Sequence, residues 1–209
     1  MIDTPPDEMR GRWALCSAVT AAQGWPDHCC AREGTWHYDD GGGNWADLRS
    51  VDAFHAVLLG HDHEYSDTYF RGAAAYFGEP ETDLLAGLPD WCGESIADYI
   101  ADIERSGMWL GFVYAWEDGV WSRAEYLVSD GFDSLNLPVV QEESTVEHLV
   151  ESLGRIARDE GSGEGLDLGA VRAAVGMGAD VDASALRAMF GGRRVDIEAG
   201  LAAAWAFQE

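Results

Sequence analysis

The sequence contains no lysine. All 13 basic residues are arginine, set against 38 aspartates and glutamates in 209 residues, for a net charge of −25. Residues 1–107 carry 20 acids and 6 arginines and residues 108–209 carry 18 and 7, so the excess is spread along the chain and forms no polyacidic tail. A surface of this sign repels phosphate backbones and anionic lipid, which predicts no nucleic-acid and no membrane partner. It attracts a basic protein and speeds that encounter. Arginine without lysine, alongside heavy Ala, Gly, Asp and Glu, reads as the codon bias of a GC-rich bacterial genome, a point about origin and not chemistry.

Long apolar runs are also missing. No stretch approaches the ~20 apolar residues that span a bilayer. Met1 to Arg12 holds Asp3, Asp7 and Glu8 and lacks a basic region leading into an apolar run, so no export signal is expected. The four cysteines, Cys16, Cys29, Cys30 and Cys92, lack the spacing of a secreted disulfide framework, and two are adjacent. Free thiols in the reducing cytoplasm are the expectation. A chain of this length buries enough surface to need no staple.

What is present reads as an α+β protein, with a mainly antiparallel sheet of about five strands packed by helices. Asp7 to Ala22 has helical spacing in Met9, Trp13, Cys16 and Val19, and Asp27 to Arg32 reads as a turn. Thr35 to Tyr38, Asn44 to Val51 and Phe54 to Gly60 form an antiparallel meander. Trp109 to Trp116 and Val120 to Val128 form a hairpin around Glu117–Asp118–Gly119, its first strand apolar on both faces and therefore central. Ser66 to Phe77, Glu94 to Arg105 and Thr145 to Arg158 read as helices, with helical cover expected on one face of the sheet. Domain organisation is read as a main α+β domain over 1–159, a linker-like turn over 160–165, and a short helical C-terminal extension over 166–209 packed on the main domain.

Chemistry-bearing candidates are few. His61–Asp62–His63 stands at the end of the third predicted strand, where residues two apart share a face. Both imidazoles could then reach one divalent metal such as zinc, with Asp67 or His37 completing the set and Glu64 or Asp62 as general base. His-x-His at a strand end is a feature of several hydrolase families, but the metallo-β-lactamase type places Asp–His where Tyr65 and Ser66 stand here, and the polymerase–histidinol-phosphatase class places a Ser–Asp pair one residue further along than Ser66–Asp67. His28–Cys29–Cys30 lacks the two- to four-residue spacer of a zinc site. Cys92 precedes the Glu94 helix, where a helix dipole could activate a thiol. Asp39 to Gly43 suits a hairpin turn better than a phosphate or calcium loop.

Nine tryptophans give the remaining signal. Trp36, Trp45 and Trp121 fall in predicted strands and are candidates for a partner-facing surface. Val171 to Ala183, including Gly178–Ala179–Asp180–Val181, is similar to the second helix and following turn of an ankyrin repeat. No second copy exists, so the similarity implies a helix with a glycine-assisted turn and nothing about function.

These features rank a non-catalytic, protein-binding domain first. In composition it is like toxin-immunity or inhibitor proteins: small, acidic, cytoplasmic, with a basic protein partner. A metal-dependent hydrolase at His61 and His63 is the alternative from another class. A Trp-lined groove for a small ligand or carbohydrate is the third.

Overall fold

The computed structural model describes residues 2–159 and 166–208. The linker-like turn expected over 160–165 lies outside them. The class is α+β, with a six-stranded antiparallel sheet in the order β1 to β6. Its strands are β1 (Cys29–Arg32), β2 (Thr35–Asp39), β3 (Trp45–Ser50), β4 (Ala56–His61), β5 (Phe112–Glu117) and β6 (Val120–Arg123). The helices are α1 (Pro6–Ala22), α2 (Gly72–Phe77), α3 (Asp90–Arg105), α4 (Phe132–Leu135), α5 (Glu142–Asp159), α6 (Leu168–Met177), α7 (Ala183–Phe190) and α8 (Ile197–Trp205). Among the described residues no helix is long and apolar enough to cross a membrane.

The sixth strand is β1, over residues expected to be a turn. Glu33 and Gly34 both take positive φ, 49° and 75°, the backbone of a two-residue hairpin turn whose twist matches the strands it joins. Glu-Gly is a weaker signal for this turn than Asn-Gly or Asp-Gly. The same geometry recurs at Asp118 and Gly119 (φ 52° and 81°), where the hairpin of β5 and β6 was expected.

The residues divide into two compact units, one of 1–5 with 37–137 and the other of 6–36 with 138–209. In the first, β4 and β5 are buried on both faces. One face presents Val57, Leu59, Val113 and Ala115 to Cys92, Ile96, Ile100 and Ile103 of α3, whose spacing places them on one helical stripe. The other face is also covered, contrary to the one-sided packing expected. Phe132 of α4 packs edge-on against Phe112 (5.3 Å between centroids) and lies 5.0 Å from Tyr114.

The predicted helix over Ser66 to Phe77 is mostly extended chain. Ser66 pairs with Asp130, the Asp67 amide donates to Ser129 O, and Thr68 Oγ1 donates to Gly111 O at 2.6 Å. These long-range bonds hold residues 66–70 out of helical register, leaving only Gly72–Phe77 as α2.

The second unit is mostly helical. Ten of the 17 residues of α1 are buried and its apolar groups surround the axis, the pattern of an enclosed helix. It meets α8 closely: a Cβ at Gly200 would lie 2.7 Å from Ala18 O. Asp167, Asp182 and Asp196 cap α6, α7 and α8 by accepting bonds from first-turn amides, which accounts for some of the carboxylates.

Candidate functional site

The residues expected to gather a metal have separate partners. β4 ends at His61 and the chain turns over residues 63–65, so the alternation that would aim His61 and His63 the same way stops at His61. His61 Nδ1 is enclosed beside Gly111 with no hydrogen-bond partner, and burial pushes the imidazole pKa down to about 4, so the ring stays neutral. His63 is exposed, with Nδ1 2.9 Å from Asn44 Oδ1. Asp67 is exposed. His37 Nδ1 lies 2.6 Å from Asp47 Oδ1, whose other oxygen accepts from Tyr99 at 2.6 Å. Asp62 is buried, its carboxylate accepting from the Glu64 and Tyr65 amides in the turn. Among the described residues no three His, Cys, Asp or Glu side chains stand where they could share an ion.

Cys92 does not precede a helix. It lies inside α3, fully buried against the sheet, and burial pushes its thiol up to about 12, the reverse of activation. Cys16 and Cys29 are buried thiols raised in the same way.

The tryptophans singled out from the sequence belong to interiors. Trp45 is buried under α3. Trp121 is buried too, its indole N–H donating to Thr4 O at 2.8 Å. Trp36 is half-buried between Trp13 and Phe207, with ring centroids 6.0 and 5.8 Å away. Large aromatic residues fill space wherever strands are covered, and sequence alternation alone does not say which face that is.

A group of exposed aromatic side chains in mutual contact lies elsewhere in the first unit, where Phe54 and Tyr65 are exposed as well. Tyr76 and Phe77, in the last turn of α2, are 73% and 51% exposed. They contact each other at 4.9 Å and meet the half-buried Trp109 at 5.4 and 5.8 Å; Tyr69 meets Phe77 at 5.6 Å. Met108, also exposed, adjoins Trp109 in the chain. Rings in mutual contact leave no gap between them, so the group is a ridge and not a cage. Exposed apolar side chains scattered singly are ordinary on a protein surface, whereas exposed ones in contact with each other are a candidate interaction site.

The ridge has an acidic border. Gly78 takes a left-handed turn (φ 73°), after which exposed Glu79, Glu81 and Asp83 follow, and the Thr82 amide donates to Tyr69 O at 2.9 Å. Glu104 and Trp109 both border Gly72, at 3.8 and 3.7 Å from where its Cβ would stand. Arg71, heading α2, holds φ 46° and ψ −111°, a strained backbone for a residue with a side chain. Such strain persists only where surrounding structure enforces it, and it concentrates at binding sites. The clue within the sequence is Tyr76–Phe77 directly before Gly–Glu–Pro–Glu.

A second polar cluster ties three segments of this unit together. His55 Nδ1 lies 2.8 Å from Asp52 Oδ2 and Nε2 lies 3.1 Å from Glu117 Oε1, which also accepts from the Trp91 indole at 3.0 Å. The His55 and Trp91 ring centroids lie 4.6 Å apart, with the planes tilted by 46°. Hydrogen bonding to Asp52, then Glu117, raises the His55 pKa. In the second unit a shallow depression is lined by Arg187, Arg194, Asp196 and Glu198, a balanced set of charges that includes none of the residues singled out from the sequence.

The chain matches no family model, no curated protein and no solved structure.

Proposed function

We propose that this chain is a non-catalytic binding protein of the cytoplasm, inhibitor-like in character, which engages a basic protein through the ridge of Tyr76, Phe77 and Trp109. The observation that carries this reading is the exposure of Tyr76 and Phe77, in contact with the half-buried Trp109, beside a row of carboxylates. Aromatic side chains supply much contact area at low cost in conformational entropy and dominate binding energy where they enter a partner's pocket. A ridge requires a concave partner.

The charge narrows the choice further. A second copy of the chain is disfavoured, because two molecules of −25 repel each other. An anionic membrane surface is disfavoured by the same sign. A partner whose apolar pocket is rimmed by Lys and Arg is favoured by both the rings and the carboxylates, the latter acting mainly on encounter rate.

The test is capture from a lysate of the producing organism on immobilised full-length chain, beside the Tyr76→Ala/Phe77→Ala variant. Proteins retained by the parent and lost by the variant, with retention falling as salt rises, support the reading. Identical retention by both chains removes it. Because both side chains are largely exposed, the variant keeps the fold, and matching far-UV circular dichroism checks this.

A further inference from the structure

We infer that His55 is a proton-operated latch: charged, it fastens the turn between β3 and β4 to the end of β5, and on losing its proton it lets that turn swing away and uncovers the Trp91 ring. None of the residues involved belongs to the aromatic ridge, so this inference stands apart from the reading given above.

The turn covers residues 51–55, where the Val51 and Asp52 amides donate to His55 O at 2.9 and 3.3 Å. Asp52 holds its shape from within, Oδ1 accepting from the Phe54 and His55 amides at 2.8 and 3.0 Å. Residues 51–54 are all exposed, Phe54 by 74%, so the turn has little packing of its own. Antiparallel register sets Ala56 opposite Trp116 and so brings His55 to Glu117. Among the described residues, this is the one side-chain hydrogen bond that ties the turn to a neighbouring element.

Two carboxylates on one imidazole make that tie depend on charge. The cationic ring has two N–H donors, whereas the neutral ring has one donor and one lone pair. His55 Nδ1 lies 2.8 and 2.9 Å from the two Asp52 oxygens, and Nε2 lies 3.1 Å from Glu117 Oε1. Only the cation donates at both ends. The neutral ring keeps its proton on Nδ1, where the contact is shorter and doubled, and Nε2 then turns a lone pair toward a carboxylate. That end opens. Glu117 retains the Trp91 indole as a donor at 3.0 Å, so β5 and α3 stay joined while the turn leaves. With it goes the His55 ring, which sits 4.6 Å from the Trp91 ring between centroids.

The charged groups acting on the ring are Asp52 from its own turn and Glu117 from β5. The helix α3 presents the neutral Trp91, and β3 ends beside the turn in the uncharged Ser50. Asp90 and Asp118, next to Trp91 and Glu117 in the chain, are exposed and carry the same sign. Hydrogen bonding to Asp52, then to Glu117, raises the His55 pKa. The latch is therefore fastened below the ordinary value of 6.5 and released as pH rises through the raised one.

The experiment follows the full-length chain and Glu117→Gln by proton NMR from about pH 5 to about pH 9. It reads the titration of the His55 Hε1 resonance, assigned by its absence in His55→Gln, and the through-space contact between the His55 and Trp91 rings. In the parent, His55 is expected to titrate above 6.5 and the ring contact to fall severalfold at the same midpoint. In Glu117→Gln the contact is expected to persist across the range, because a side-chain amide accepts from the charged ring and donates to the neutral one. A ring contact that survives the titration of His55 in the parent overturns the latch, and this result decides the matter even if the variant does not fold. Loss of the contact at the His55 midpoint in a folded Glu117→Gln chain overturns it as well.

Discussion

Gly200 and Gly176 sit in helices of the same unit, and the same substitution is expected to have opposite effects at the two. At Gly200 an added methyl would stand 2.7 Å from Ala18 O, 3.2 Å from Ala22 Cβ and 3.3 Å from Leu186 Cδ1. Carbon–oxygen contacts normally begin near ~3.3 Å, so α8 has to move from α1 by about 0.6 Å or distort. Overpacking of this kind costs roughly 1–3 kcal/mol. Replacing glycine inside a helix returns up to about 1 kcal/mol. With 2.7 Å to a backbone oxygen placing the cost toward the upper half of that range, about 2–3 kcal/mol, the balance for Gly200→Ala is a loss of about 1–2 kcal/mol. At Gly176, in the last turn of α6, nothing lies within 4 Å of the new methyl and φ is not positive, so only the helical gain remains, about 0.5 kcal/mol. Urea unfolding followed by circular dichroism at 222 nm reads both. With a slope of about 1–3 kcal/mol per molar, the two midpoints should differ by roughly 1 M. A Gly200→Ala chain as stable as the parent would refute the close approach of α1 and α8.

Three further outcomes are expected. His55, with a carboxylate on each ring nitrogen and a raised pKa, contributes stability that is fully present below its ordinary value of 6.5 and is lost as pH rises through the raised value. The stability difference between the parent and His55→Gln, measured by urea unfolding at several pH values, should therefore shrink at alkaline pH; a difference independent of pH contradicts the paired geometry. Asp47→Ala leaves Tyr99 and His37 without their shared acceptor and should cost about 2–3 kcal/mol, whereas an effect within 0.5 kcal/mol in the same assay would show the network to be idle. A variant retaining only Cys92 should react with a thiol reagent at neutral pH only as fast as the first unit opens, and rapid labelling of native protein would contradict its burial.

Much of the fold was legible because local pattern and tertiary demand agree. Ile96, Ile100 and Ile103 mark one stripe of α3, and Asp118–Gly119 marks the second hairpin. The C-terminal helices begin at aspartates that cap them. What was illegible depended on distant partners. Ser66, Asp67 and Thr68 read as helix until Asp130, Ser129 and Gly111 are beside them. β1 was hidden by the unusual Glu33–Gly34 turn.

The candidate site was less legible than the fold. The His-x-His spacing implies convergence only if the strand continues, and β4 stops at His61. Trp45 and Trp121 have the composition of an interaction surface, but the sheet needs them as filling. Tyr76 and Phe77 would have been assigned partly to the inner side of a long helix. Because that helix is only six residues long, the pair ends at its exposed tip beside Trp109.

Affinity of the captured partner for the parent chain and for Tyr76→Ala/Phe77→Ala, measured by isothermal titration at two salt concentrations, tests the central claim most directly. Two central aromatic anchors worth about 2 kcal/mol each predict at least a hundredfold loss in the variant, with the parent's affinity falling as salt rises. Equal affinities for the two chains would contradict the account.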